Sequence, residues 1–141
     1  MGSAVHETAL FRTAYYNRIR FHGGEDVGRK VKMAIIALND TNFFAETESG
    51  GVPVLVNFQG EGCPHCETMK RRLAAFDREA CGRVKLCAVD VDMQPLLAAR
   101  FGIHSIPTLL LFCGGSLAER VVGAVETREL WDAVGRCTTG M

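Results

Sequence analysis

The sequence lacks an excess of charge of either sign, and it lacks a long hydrophobic run. Its 141 residues include 16 lysines and arginines and 16 aspartates and glutamates, with no basic cluster. Such a chain lacks the concentration of positive charge that binds the phosphate backbone of a nucleic acid, so we expect no nucleic-acid partner. The longest apolar runs, 33–38 and 106–113, fall far short of the roughly 20 residues that a membrane-spanning helix needs. Both runs predict buried strands, and we expect no membrane partner.

The sequence contains fewer cysteines than a small protein whose fold depends on disulfides. Six cysteines in 141 residues are too few for a miniprotein stabilised by disulfides, and a chain of this length can bury a hydrophobic core without disulfide bonds. Cys63 and Cys66 form the only C-x-x-C pair, and the four other cysteines stand singly. The pair is therefore the first candidate site.

Residues 1–31 differ from the rest of the chain. Apolar residues recur at helical spacing between residues 10 and 19, but the polar, glycine-containing segment 22–26 ends any helix there. We predict an N-terminal extension, helical or disordered, that either frays at the surface or serves as a targeting or partner-binding helix. The first 25 residues lack the apolar stretch of a secretory signal. With Met1 as the native start, we expect a cytoplasmic protein.

From residue 32 onward the hydrophobic periodicity alternates between strand-like and helix-like, which predicts one α/β domain over 32–141. The apolar, β-branched run 52–58 is typical of a central strand, and apolar residues spaced by three or four predict a helix over 64–79. The last helix is expected to turn Leu130, Trp131 and Val134 toward the sheet. The predicted strands are 33–38, 52–58, 84–91, 108–112 and 117–122, and the predicted helices are a short one ending near 46, then 64–79, 94–101 and 127–136.

The C-x-x-C pair follows a buried strand and opens a helix, and this placement gives it chemical meaning. A cysteine at a helix N-terminus faces unsatisfied backbone N–H groups and the positive end of the helix dipole, which favour thiolate over thiol. Cys63 is therefore the candidate nucleophile. Cys66 lies one turn into the helix, where it can attack a mixed disulfide on Cys63 and release the reduced substrate. Cys66 is the candidate resolving thiol.

Two other interpretations of the Cys63 and Cys66 pair remain open. A C-x-x-C can supply half of a structural zinc site, although no second ligand pair stands at metal spacing, so we expect no metal. The two cysteines could also be ordinary core residues. Among the single cysteines, Cys87 lies in a predicted strand and is expected in the core. The remaining three lie near predicted element ends, where a regulatory or intermolecular disulfide could form: Cys81, Cys113 and Cys137.

The surrounding residues resemble the thioredoxin family over about 32–137. The sequence VLVNF at 54–58 is similar to the strand before the family's active site, and IPTLLLF at 106–112 resembles the segment that carries its cis-proline. The resemblance implies a thioredoxin fold, an α/β arrangement with a central mixed β-sheet flanked by helices. It places Pro107 at the cis-proline, beside the cysteines, with Ile106 at the backbone edge offered to substrate and Gly123 near the substrate groove. An X-Pro bond is also where a cis peptide is least costly.

The departures from the family pattern concern proton transfer. Asn57 stands where thioredoxins carry a buried aspartate, and Ala88 stands where they carry a nearby lysine. Because an amide cannot accept a proton from Cys66, deprotonation of that thiol would depend on water, Glu61 or His65.

The residues next to the first cysteine differ as well. Gly62 replaces the tryptophan that precedes this cysteine in the family, and the dipeptide Pro64-His65 resembles that of DsbA-type oxidants. A histidine at a helix N-terminus can donate to the Cys63 thiolate and stabilise the reduced form. We therefore expect a more oxidising pair than that of thioredoxin.

These observations predict a thiol-disulfide oxidoreductase that exchanges disulfides with protein substrates through Cys63 and Cys66. We expect Pro64, His65 and Asn57 to modulate the pair, and Ile106, Pro107 and Gly123 to bind substrate. No cofactor is needed, and the expected partners are protein disulfides or dithiols and a reductase or other redox partner, acting on a monomer. The alternative is a thioredoxin-like binding or adaptor module that uses the Pro107 groove to hold a partner and has weak redox activity.

Overall fold

The computed structural model describes residues 35–48 and 51–139. All of these except 35 and 36 belong to one structural unit, residues 37–141. The N-terminal extension predicted at 1–31 lies outside the described residues. No helix in the described part of the chain is long and apolar enough to cross a membrane.

The described residues form five strands and four helices that alternate along most of the chain. The strands are β1 (Ile36–Ala37), β2 (Val54–Gln59), β3 (Lys85–Asp90), β4 (Thr108–Cys113) and β5 (Ser116–Val122). The helices are α1 (Phe43–Glu48), α2 (Pro64–Ala80), α3 (Pro95–Arg100) and α4 (Thr127–Thr139).

The strands form one mixed sheet in the order β1-β3-β2-β4-β5. β2 and β3 are parallel, as the intervening helix predicts, and β4 is antiparallel to both β2 and β5. The predicted α/β fold with a mixed sheet is thus confirmed. The consecutive strands β4 and β5 form a hairpin.

The core lies between the sheet and its helices. β2 and β4 are buried along almost their whole length because both run through the middle of the sheet. The face of α2 that the spacing predicts as apolar is buried, and each large side chain on it contributes roughly 1.5–3 kcal/mol of hydrophobic stabilisation. Its buried residues are Cys66, Met69, Leu73, Phe76 and Ala80.

α4 packs through Leu130 and Val134, which are buried as predicted. The ring of Trp131 contacts Phe76 of α2 at a centroid distance of 4.4 Å. Its indole Nε1 donates to Glu79 Oε1 at 2.9 Å. Trp131 therefore joins α4 to α2.

The strand directions bring three chain segments to one end of the sheet. β2 ends at Gln59, next to the start of α2, and Phe58 of β2 pairs with Thr108 at the start of β4. Thr108 in turn pairs with Val122, the last residue of β5. We call this the Cys63 end of the sheet. At the opposite end, Val54 pairs with Phe112.

Candidate active site

Cys63 caps the N-terminus of α2. Its backbone is extended (φ −117°, ψ 105°), its Sγ accepts a hydrogen bond from the Cys66 N–H at 3.1 Å, and its carbonyl accepts from the Glu67 N–H at 3.1 Å. Pro64 occupies the first turn, where its fixed φ suits a helix and its missing N–H costs nothing. The Cys63 sulfur therefore lies where helix N–H groups stabilise negative charge.

The structure joins Cys63 and Cys66 by a disulfide, with their Cα atoms 5.2 Å apart. Cys66 is fully buried, with 0% exposure, while Cys63 is partly exposed. A partner molecule can therefore approach the Cys63 sulfur but not that of Cys66.

The loop before β4 lies against the Cys63 sulfur. The Ile106–Pro107 peptide bond is cis, and the carbonyl oxygen of Ile106 lies 3.8 Å from the Cys63 Sγ. The Pro107 carbonyl accepts a hydrogen bond from the Gly123 N–H at 2.8 Å. The three residues for which the resemblance implies substrate binding, Ile106, Pro107 and Gly123, are thus brought together at the Cys63 end of the sheet.

Gly60 contributes to this geometry, and sequence reasoning did not single it out. A Cβ at this buried position would lie 3.0 Å from Ile106 Cδ1 and 3.3 Å from Asp92 Oδ2. A larger residue here would therefore require the Ile106 side chain to shift. The signal in the sequence was a glycine directly after the apolar strand that precedes the cysteine pair.

Arg72 of α2 reaches the segment between β5 and α4. Its guanidinium donates to the Val125 carbonyl at 3.0 Å and lies 3.3 Å from Glu126 Oε2. Arg72 therefore ties α2 to the segment that follows Gly123.

Asn57 is buried in β2, with 2% exposure, and lies beside Ala88 in the register with β3. Its Nδ2 donates to Gln59 Oε1 at 3.2 Å. Its Oδ1 has no hydrogen-bond partner among the described residues. A buried acceptor without a donor is uncommon in folded proteins.

His65 and Pro64 are both exposed in the first turn of α2, next to Cys63. Gly62 is also exposed and has φ 71°, a left-handed conformation that disfavours any larger residue. His104, in the loop before Pro107, is exposed as well. The residues around Cys63 that these positions represent are therefore open to solvent.

The carboxyl groups with clearly shifted pKa values in the described region lie away from Cys63. Burial raises the pKa of Asp77, toward the far end of α2, and the nearby charge of Arg78 partly offsets this. The hydrogen bonds from Arg136 lower the pKa of Glu119 in β5.

The remaining cysteines fall into three environments. Cys87 is buried, as predicted, while Cys81 is exposed at the C-terminal cap of α2. Cys113 and Cys137 are joined by a disulfide within the chain, with Cα atoms 6.2 Å apart. The described residues contain no group of three or more side chains placed to hold a metal ion.

The comparisons with known proteins agree with this geometry. The family model described as Thioredoxin matches residues 34–136. Thioredoxin 1 of Nostoc sp. is 36% identical over 97 residues, which cover 69% of this chain and 91% of that protein. The thioredoxin of Porphyra purpurea is 33% identical over 98 residues, covering 70% of this chain and 92% of that protein.

A further relative joins two activities in one chain. The bifunctional thioredoxin reductase/thioredoxin of Mycobacterium leprae is 37% identical over 89 residues, covering 63% of this chain and 19% of that protein. With the family model matching most of the chain and the cysteine pair at disulfide distance, the chain belongs to the thioredoxin family and is a thiol-disulfide oxidoreductase.

Proposed function

We propose that Cys63 is the nucleophile and Cys66 the resolving thiol of exchange with protein disulfides. The observation that carries this proposal is the position of the Cys63 sulfur, which accepts the Cys66 N–H at the start of α2 and lies beside the Ile106 backbone. The helix terminus stabilises the thiolate, and the partial exposure of Cys63 lets a substrate sulfur reach it.

The reaction proceeds in two exchanges. The Cys63 thiolate attacks one sulfur of a substrate disulfide and forms a mixed disulfide, while the other substrate sulfur leaves as a thiolate and takes up a proton. Cys66 then loses its proton and attacks the Cys63 sulfur. The second substrate sulfur leaves, and the product is the Cys63–Cys66 disulfide that the structure holds.

The substrate chain is proposed to bind beside Ile106 and Pro107, close to Gly123. The Ile106 carbonyl lies next to the attacked sulfur, and an extended substrate segment can pair with this backbone edge. The hydrogen bond between the Pro107 carbonyl and the Gly123 N–H links the two segments that form this proposed substrate-binding site.

Three residues are proposed to adjust the reactivity of the pair. Pro64 fixes the first turn of α2, and His65, exposed in the same turn, can donate to the Cys63 thiolate. Asn57 supplies a neutral amide where the family has an acid, so it leaves the proton of Cys66 to water or to a group at the rim such as Glu61.

The proposed partners are protein disulfides and a reductase that returns electrons to the pair. The fused relative from Mycobacterium leprae supports a thioredoxin reductase in the second role. A monomeric state and a cytoplasmic location stay predictions from the sequence. Analytical sedimentation tests the first, and cell fractionation tests the second.

Reduction of insulin disulfides by dithiothreitol tests the proposal. The wild-type protein should accelerate precipitation of the insulin B chain, and Cys63→Ser should lose this activity. Cys81→Ser is the matched control, since it removes an exposed cysteine away from the site. A wild-type protein that binds thiol-containing partners without accelerating insulin reduction would instead support the adaptor function.

A further inference from the structure

The second disulfide lies at the opposite end of the sheet from the first. Cys113 is the last residue of β4, which runs antiparallel to β2, and its neighbour Phe112 pairs with Val54 at the start of β2. Cys63 follows the other end of β2. Since the strand rises about 3.3 Å per residue, the two disulfides are separated by roughly the length of β2, on the order of 17 Å or more. Neither pair can attack the other within one molecule.

The helix positions of the two pairs are also opposite. Cys63 caps the N-terminus of α2, whereas Cys137 lies in the last turn of α4. The carbonyl groups and the negative dipole end at a helix C-terminus disfavour a thiolate. Cys137 is also only 8% exposed, and burial disfavours the charged form of its thiol further.

The neighbouring residue Arg136 does not compensate for this environment. Arg136 precedes Cys137, but its guanidinium forms two hydrogen bonds with Glu119, at 2.7 and 2.8 Å. Its charge is thereby held by a carboxylate on β5. The thiolate of Cys137 thus lacks the stabilisation that the α2 N-terminus gives to Cys63.

We propose that Cys113–Cys137 is a structural disulfide that stays oxidised while Cys63–Cys66 is reduced and reoxidised. A disulfide becomes easier to reduce when its thiolates are stabilised, so the pair with the disfavoured thiolate is the harder one to reduce. The bond closes a loop over a sequence separation of 24 residues and fastens the end of α4 to the end of β4. It restricts the unfolded chain and so stabilises the fold. The comparison of the two pairs rests on the proposed function, but the pairing of Cys113 with Cys137 does not.

Stepwise reduction of the full chain tests this proposal. The oxidised protein is equilibrated with increasing dithiothreitol, which gives two electrons to each disulfide and becomes a cyclic disulfide, and free thiols are then alkylated. Peptide mass mapping should show Cys63 and Cys66 alkylated first. The linked Cys113–Cys137 peptide should persist to at least about a tenfold higher ratio of dithiothreitol to its oxidised form.

Two variants separate this proposal from the proposed function. Cys113→Ser/Cys137→Ser should retain insulin reduction and melt lower than wild type by on the order of 10 °C, with Cys81→Ser as the unchanged control. If the double variant does not fold, the same loss is measured in Cys63→Ser/Cys66→Ser by comparing its melting before and after full reduction. The proposal is overturned if no linked peptide forms, if this pair opens with or before Cys63–Cys66, or if its loss leaves the melting temperature unchanged. Loss of insulin reduction in Cys63→Ser bears only on the proposed function.

Discussion

Asn57 lies directly across from Ala88 in the register of β2 and β3, and its Oδ1 has no hydrogen-bond donor among the described residues. Asn57→Asp would place a proton acceptor there, with no lysine at position 88 to pair with it. Burial should raise the pKa of the new carboxyl, so that it can take a proton near neutral pH. We expect faster resolution of mixed disulfides and a stability lower by about 1–3 kcal/mol.

Quenched-flow alkylation measures the resolution rate, and denaturant unfolding measures the stability. Asn57→Ala is the control, because it removes the amide without supplying a base. Equal resolution rates in the Asp and Ala variants would show that position 57 does not exchange protons with Cys66.

Cys66→Ser should trap a mixed disulfide between Cys63 and a substrate cysteine. The partly exposed Cys63 can still attack, but no second thiol remains in the helix to release the substrate. Non-reducing electrophoresis with a disulfide-containing substrate protein detects the adduct. Cys63→Ser should give none, and trapping through Cys66 would reverse the assignment of the two roles.

Replacing Pro64-His65 with Gly-Pro should make the pair more reducing. His65 is exposed beside Cys63 in the first turn of α2, and a donor at that position stabilises the thiolate and so the reduced form. A glutathione redox titration measures the change, each 30 mV corresponding to about 1.4 kcal/mol. His65→Ala separates the histidine from the proline, and a potential unchanged in both variants would rule out an action of His65 on the sulfur.

Gly60→Ala should weaken substrate binding more than it weakens the fold. The added methyl group would meet Ile106 Cδ1 at 3.0 Å, so the side chain of Ile106, whose carbonyl oxygen lies 3.8 Å from the Cys63 Sγ, would have to shift. We expect a stability loss of about 1 kcal/mol and a several-fold rise in KM for insulin with a smaller change in kcat. Gly51→Ala is the matched control, since its Cβ would meet nothing within 4 Å. Equal kinetics in both variants would show that the position of the Ile106 side chain does not affect substrate binding.

Glu119→Gln should lower the melting temperature slightly at neutral pH and not in acid. The hydrogen bonds from Arg136 lower the pKa of Glu119 below its ordinary value of 4.5. A lowered carboxyl pKa stabilises the fold above the ordinary value, and this contribution disappears as the pH falls through the folded-state pKa. Thermal unfolding from pH 7 down to pH 3 compares the two proteins. A difference that persists in acid would have another cause.

Much of the fold follows from local patterns that burial reinforces. The apolar runs in β2 and β4 predicted central strands because strands covered on both faces need few polar residues, and the spacing in α2 predicted its buried face. The ends of the strands and helices are less well determined by local sequence patterns. β1 covers only Ile36–Ala37 where a strand over 33–38 was expected, with 33 and 34 outside the described residues, and α4 continues to Thr139.

The features of the site likewise divide into those that local sequence patterns predict and those that depend on how distant elements pack. The cysteine pair and the cis-proline loop are contiguous motifs, so the sequence could identify them. The contact of Trp131 with Phe76 depends on how two helices pack, and the pairing of Cys113 with Cys137 depends on where a strand and a distant helix end. Neither relationship is encoded in local spacing, and six cysteines allow many pairings.

The position of the single tryptophan determines what its fluorescence reports. The thioredoxin family carries a tryptophan directly before the first active-site cysteine, where this chain has Gly62. Here the indole of Trp131 lies against Phe76, with the Arg83 guanidinium 5.1 Å from its ring centre. Its intrinsic fluorescence therefore reports how α4 rests on α2, and an emission change on treatment with reductant would signal movement of the C-terminal helix instead of turnover at Cys63.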